Sequence, residues 1–335
     1  MVMKCDLVLE GGGVKGIALV GAIEILEDAG YTFNRVAGTS AGAVVGALVA
    51  AGMPSSDLVA LMRAVDYRRF QDESWSDALP IGKTVSLIAE QGIYEGTYLR
   101  DWLADALAGC GVRTFGDLAY EDAALDLPPE QRFRLVVMAS DLCAGRLCRL
   151  PWDYPAHYQR PASGQAVADA VRASMSIPFF YEPVRLDRPA PQGEAVLVDG
   201  GVLSNFPIDV FDRPNGAPRW PTFGLKLSAR HASDVARFKV DDTVAMLRAL
   251  VGTMVSSHDQ MHIADEAVVA RTIFIDTAGV NSTNFDLDDE TAERLYQNGR
   301  AAAQTFLATW DWEAYKAKYR TSSRAKVGAG TPRRK

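Results

Sequence analysis

Short apolar runs alternate with longer amphipathic stretches along this chain, and that rhythm predicts most of its elements. "DLVLE", residues 6–10, reads as a buried strand, and residues 15–29 repeat apolar positions at helical spacing until Gly30 stops them. "NRVAG" follows as a second short strand and residues 41–51 as a second helix. A third helix is expected from Ser55 or Ser56, whose hydroxyls suit an N-cap, with Pro54 just ahead. Later strands are predicted at "FRLVVMAS", "EAVLVD", "FGLKLS" and "TIFID", and helices over 97–108, 165–173, 243–257 and 288–307. This strand–helix alternation without internal repeats predicts an α/β fold, a mostly parallel sheet covered by helices on both faces.

Two stretches break the alternation. Residues 66–95 carry Tyr67, Phe70, Trp75, Ile81 and Tyr94 among charges, and "PWDYPAHYQRP" holds Pro151, Trp152, Tyr154, Pro155 and Tyr158. Long irregular segments often serve as lids or binding loops, and rings with a polar tip suit a boundary between water and oil. Ordinary packing beneath a loop would account for them equally well. Tyr98 and Trp102, on the predicted helix 97–108, read as core.

Composition narrows the class. With 335 residues, 48% hydrophobic and 23% charged, the chain can bury a core that needs no disulfide staple. Cys5, Cys110, Cys143 and Cys148 show no CxxC spacing, so they read as reduced thiols of a cytoplasmic protein. A net charge of −7 argues against a nucleic-acid partner. After Glu313 the charges are all basic (Lys316, Lys318, Arg320, Arg324, Lys326, Arg333, Arg334, Lys335), and residues 321–335 read as a disordered, solvated tail. The other reading of that tail is weak, transient attraction to a membrane surface, at about 1 kcal/mol per basic residue. No secretory leader pattern is visible, and "AGAVVGALVAAG" is too short to span a bilayer.

The chemistry begins in "LVLEGGGVKGIALVGAIEIL", where Gly11, Gly12, Gly13, Lys15 and Gly16 lie between strand and helix. Such a loop offers bare N–H groups to an anion. It is not a P-loop, because Ile17 and Ala18 stand where Lys and Ser/Thr are needed. Gly11, Gly13 and Gly16 satisfy GxGxxG, yet the second strand ends in Val36-Ala37-Gly38 with no acid for a ribose. "GTSAG" follows instead, a GxSxG between strand and helix, which would present Ser40 on a tight turn at a helix N-terminus. A tetrahedral oxyanion formed there would need N–H donors, which the neighbouring glycine loop could supply. A nucleotide-binding regulatory module built on the glycines is the alternative.

A serine nucleophile needs a base. His157, His231, His258 and His262 do not follow strands as a triad histidine would. His258 and His262 faintly echo HExxH, but no third ligand is evident, and an exposed helix face explains them. Asp199 ends the apolar run "EAVLVDGG", and parallel strand ends are where ligands gather. Held against Ser40 it could act as general base, although an Asp-Gly turn alone would also explain it.

In this order, GGGxKG, GTSAG and DGG resemble the patatin-like phospholipase family. "VVMASDLCAGR", "VRASMSIPFFYEPV" and "DGGVLSNFPID", with Asn205 and Pro207 in place, extend the resemblance over residues 5–212. It implies a three-layer α/β sandwich around a central, mostly parallel sheet, with residues 1–212 as catalytic core and 213–320 as a C-terminal part of the same domain. It further implies a Ser–Asp dyad, with Ser40 as nucleophile and Asp199 as base. Gly11, Gly12, Gly13 and the Ala41 N–H would be oxyanion donors, and Gly16, Gly38, Gly42, Gly200 and Gly201 would support the motifs. Lys15 stands where many members carry arginine, keeping the charge without the planar fork. The implied reaction is hydrolysis of a phospholipid, lysophospholipid or other fatty-acyl ester through an acyl-enzyme, without metal or cofactor. An enzyme held inactive until a partner or activator moves a lid would share these motifs.

Overall fold

A computed structural model describes residues 3–71, 94–122, 127–188, 193–213, 218–228, 246, 249, 265–282 and 285–320. All of the predicted helix over 243–257 except residues 246 and 249, the tail at 321–335, Trp75, Ile81, His231, His258 and His262 lie outside these residues.

The sheet has eight strands: β1 (Met3–Leu9), β2 (Tyr31–Thr39), β3 (Leu135–Asp141), β4 (Arg146–Leu150), β5 (Val184–Asp187), β6 (Glu194–Asp199), β7 (Thr222–Lys226) and β8 (Thr272–Phe274). Their order is β5-β6-β3-β2-β1-β7-β8, with β4 also on β3. The five strands from β3 to β8 in that order run parallel, and β4, β5 and β6 make antiparallel pairs. The helices are α1 (Gly16–Asp28), α2 (Ala41–Ala50), α3 (Ser55–Ala64), α4 (Thr97–Gly109), α5 (Val167–Ser174), α6 (Asp289–Leu307) and α7 (Trp312–Tyr319).

Helix α2 is apolar on every side, and its residues 41–49 are all buried. It lies close to the sheet at Gly46, where a Cβ would sit 3.1–3.8 Å from Val36, Leu9 and Leu135. The opposite face is covered near Gly224, paired with Val8, by Phe206 and Ile208. Helix α6 buries Leu295, Tyr296, Gly299 and Ala303 as a stripe against α1. A Cβ at Gly299 would lie 2.0 Å from the Ala18 carbonyl, so glycine is what allows this close crossing. The α3 start differs from the expected serine cap. Pro54 occupies the N-cap, and the Glu27 carboxylate accepts the Ser55 N–H at 3.0 Å. A carboxylate from α1 thus supplies the acceptor that the serines were expected to give.

The ladders on β3 explain how the site forms. Val137 and Met138 pair with both β2 and β4, so those strands occupy opposite edges of β3. Ala139, Ser140 and Asp141 pair with both β4 and β6, which puts β6 on the edge that β2 has just left. The ends of β2 and β6 therefore meet head to head. Met138 pairs with Thr39, and the next residue, Ala139, pairs with Asp199.

"PWDYPAHYQRP" does not form a lid. Trp152, Tyr154 and Tyr158 are buried, and the Tyr158 hydroxyl donates to Asp141 at 3.0 Å. The aromatic–polar mixture that suggested a wet boundary instead caps the core, with its polar tip satisfied inside.

Candidate active site

Ser40 joins the end of β2 to the first turn of α2 with φ +53° and ψ −126°, a strained conformation for a side-chain-bearing residue. Several contacts hold it. Its N–H donates to Ser174 Oγ at 2.8 Å, and its carbonyl accepts the Ala43 and Val44 N–H groups at 2.8 and 3.2 Å. The flanking glycines make the turn possible. A Cβ on Gly38 would lie 2.3 Å from the Gly42 carbonyl, and one on Gly42 2.4 Å from the Leu9 carbonyl. The spacing of GxSxG is thus a packing requirement of backbone against backbone.

Asp199 arrives from the other side. Its N–H donates to the Ser176 carbonyl at 2.8 Å, and its Oδ1 accepts the Gly201 N–H at 2.7 Å. The Ser40 hydroxyl donates to Met175 Sδ at 3.4 Å, a weak acceptor, and lies near enough to the Asp199 carboxylate to act on its titration. Burial pushes the Asp199 pKa up to about 6, against the downward pull of the Gly201 N–H and the neighbouring Ser40 hydroxyl. Asp199 was expected at the end of a parallel strand. Strand β6 is antiparallel to β3, and proximity comes from the shared β3 edge instead.

The glycine loop reaches the same place. A Cβ on Gly11 would sit 3.1 Å from Ser40 Cβ and 2.3 Å from Asn205 Oδ1. Asn205 clasps Gly11 from both sides. Its carbonyl accepts the Gly11 N–H at 3.2 Å, and its Nδ2 donates to the Gly11 carbonyl at 3.1 Å. The Gly11 N–H, expected among the oxyanion donors, is therefore spent. Val14 N–H goes to Ser282, and Lys15 N–H returns to Gly12, both at 3.2 Å. The N–H groups of Gly12 and Gly13 have no acceptor among the described residues, and Ala41, first residue of α2, has none within its helix. Three of the five amides from Gly11 to Lys15, which a pyrophosphate would need, are thus already paired. Lys15 is half-buried, and burial lowers its pKa, with Glu10 pulling it back up. Glu10 itself is buried against the Lys226 ammonium and the Leu227 N–H.

Beside Ala41 and Gly13 opens an apolar slot. Its wall includes Val44, Met62, Phe70, Trp102, Met175 and Phe285. Trp102, expected to be plain core, is part of it, because α4 passes over the N-terminal end of α2. Tyr98 packs with Phe70 at the core's margin.

Sequence reasoning noted the segments of four residues that shape this site but gave those residues no role. Ser174, Met175 and Ser176 each touch Ser40 or Asp199, and Asn205 fixes the glycine loop. Their signal was present in "ASMSIP" and "SNFP", but the contacts of Ser174 and Met175 with Ser40 and of Asn205 with Gly11 span more than 130 residues, and only the fold reveals them. Among the described residues, the histidine His157 is exposed beside Asp153, and no acid, cysteine and histidine cluster is arranged for a metal ion. No helix among them is long and apolar enough to cross a membrane.

Comparison with known proteins adds three findings. The model of the family described as "Patatin-like phospholipase" matches residues 7–212. An uncharacterized protein of Bacillus subtilis, YqhO, is 38% identical over 312 residues, covering 92% of this chain and all of that one. A protein of Aspergillus fumigatus named lysophospholipase nte1 is 29% identical over 205 residues, covering 61% of this chain but only 11% of its own length. Among solved structures, VipD from Legionella pneumophila shares the fold with a TM-score of 0.52 at 19% identity, over 91% of this chain and 66% of VipD.

Proposed function

Since the chain belongs to the patatin-like phospholipase family, we propose that it is a lipid acyl hydrolase in which Ser40 is the nucleophile and Asp199 its base. One observation carries this reading: a serine on a strained turn stands beside a buried carboxylate whose pKa has risen to about 6, the two brought together by adjacent register positions on β3. A carboxylate in that range can take a proton near neutral pH and return it.

In the first step the Ser40 proton passes to Asp199 while Oγ attacks the ester carbonyl. The tetrahedral oxyanion accepts hydrogen bonds from the N–H groups of Gly12, Gly13 and Ala41. The alcohol leaves with the proton from Asp199, and acyl-Ser40 remains. Water then gives a proton to the same carboxylate and attacks the acyl carbonyl, and Asp199 returns that proton to Ser40 Oγ as the C–O bond breaks and the fatty acid leaves. Each preorganised oxyanion donor contributes about 3 kcal/mol to such a step. The apolar slot beside Ala41 suits an acyl chain, and the name of the fungal relative supports a lysophospholipid-type substrate.

A fluorophosphonate should label Ser40, as read by peptide mass mapping. Ser40→Ala and Asp199→Asn should each abolish release of p-nitrophenol from a medium-chain ester while the circular dichroism spectrum stays native. Full activity in either variant would remove the dyad.

A further inference from the structure

The slot beside Ser40 contains one feature that a plain hydrocarbon chain does not explain. Tyr67, on the short turn Tyr67–Phe70, forms part of its wall, and the Tyr67 hydroxyl is buried without a hydrogen-bond partner among the described residues. Of the buried side-chain polar atoms that lack a partner among the described residues, it belongs to the one residue lining this slot. The contrast with Tyr181 is direct. That buried hydroxyl, from the neighbouring segment, donates to the Phe70 carbonyl at 2.9 Å. Burial raises the Tyr67 pKa well above the usual phenol value, so the group stays protonated and can donate.

A buried hydroxyl left unpaired is unfavourable by about 1–3 kcal/mol. Water is a poor remedy here. The slot has a free volume of about 20 Å³, room for roughly one molecule, and a buried water needs two to four polar partners. Besides Tyr67, Trp102 is the other slot residue with a nitrogen or oxygen in its side chain. A chain entering the slot would part flexible side chains such as Met62 and Met175, and any oxygen it carried would meet a waiting donor.

Building on the hydrolase reading above, we propose that the Tyr67 hydroxyl makes this slot selective for acyl chains that carry an oxygen acceptor, as in hydroxy-, oxo- or oxa-acyl esters. The hydroxyl donates to the in-chain oxygen and pairs only when such a chain is bound. Tyr67 is then a specificity-determining residue that contacts the acyl chain and takes no part in the bond-making steps.

The test uses the full chain and p-nitrophenyl nonanoate, together with analogues in which one methylene at a time is replaced by an ether oxygen. The quantity read is kcat/KM for each oxa ester divided by that for nonanoate, in wild type and in Tyr67→Phe. Taking this ratio between the two proteins cancels the intrinsic reactivity of each ester. At one oxygen position the wild-type ratio should exceed the variant's by about tenfold. Equal ratios at every position would overturn the inference and leave the hydrolase reading standing. Failure of wild type to cleave any of these esters, with Ser40 unlabelled by fluorophosphonate, would overturn both. Thermal unfolding of the variant supplies an independent check. Tyr67→Phe should melt at or above the wild-type temperature, and a fall of several degrees would show that the hydroxyl has a structural partner and overturn the inference.

Discussion

Asp199→Asn should make the protein inactive and, above pH 6, more stable relative to wild type than it is at pH 4. The argument starts from a carboxyl raised from an ordinary value of 3.8 to about 6 by burial. The folded state then binds the proton more tightly than the unfolded chain. The stability this provides is complete below pH 4 and is lost as pH rises through 6, where the folded carboxyl finally ionises. Two pKa units correspond to roughly 3 kcal/mol. Asparagine does not titrate, so its constant effects on packing and hydrogen bonding cancel when the difference between variant and wild type is compared at two pH values. Because the unfolded carboxyl is already partly ionised at pH 4, that difference should shift by roughly 2.4 kcal/mol in the variant's favour from pH 4 to pH 7.5. For 335 residues with an unfolding entropy of about 2.1 cal/mol/K each, this is about 3 °C in Tm. Urea titrations of both proteins at the two pH values would measure it. The same carboxylate, as base, should give kcat/KM an acid limb with an inflection near pH 6. A pH-independent stability difference, or an acid limb near pH 4, would refute the idea that burial has raised this group.

Three further outcomes follow from the local geometry. Ser40→Gly should be more stable than Ser40→Ala by about 1 kcal/mol in denaturant titrations, because glycine tolerates the φ of +53° and alanine does not; equal stabilities would mean that the turn is unstrained. Gly42→Ala should lose more than about 3 kcal/mol or fail to accumulate as soluble protein, since its Cβ would lie 2.4 Å from the Leu9 carbonyl; a Tm within two degrees of wild type would contradict that close approach. Lys226→Met should cost about 3–5 kcal/mol by leaving the buried Glu10 carboxylate without its cation, and adding Glu10→Gln should restore most of the loss in a double-mutant cycle.

Much of the scaffold was legible because its signals are local. The apolar run at the start, the breaks at Gly30 and Gly52, and the wholly apolar α2 specify strands and helices within a few residues of where they lie. The strand "EAVLVD" matches β6 from Glu194 to Asp199. What was not legible depends on distant partners. Nothing in "PWDYPAHYQRP" tells its rings that Asp141 will accept a hydrogen bond from inside the core. Nothing near Ser55 shows that Glu27 will supply its cap. Trp102 has the spacing of a core residue and packs, half-buried, against the core, yet the passage of α4 over α2 also makes it part of the slot wall. For the site, GxSxG and DGG marked the two residues that the fold brings together. The triple glycine overstated the donors, because Asn205, nearly two hundred residues away, takes the first N–H.

On the mechanism proposed above, the meeting of Ser40 and Asp199 accounts for a dyad working without a histidine. In a purely parallel sheet, a carboxylate at the end of the neighbouring strand would lie one strand spacing away, about 4.8 Å sideways, and an intermediary such as histidine could bridge the gap. Here β2 and β6 run toward each other along one edge of β3 and stop one residue apart in its register. The serine and the aspartate are held by the same strand, so their separation is governed by the rigid spacing of Met138 and Ala139 and not by loops. Gly200 keeps the seat tight, since a Cβ there would be 2.4 Å from the Met138 carbonyl. The cost of this arrangement appears in both partners: a serine with a strained backbone and an acid stripped of water. Neither would persist on a flexible turn, and both are expected of a site organised for proton transfer before substrate arrives.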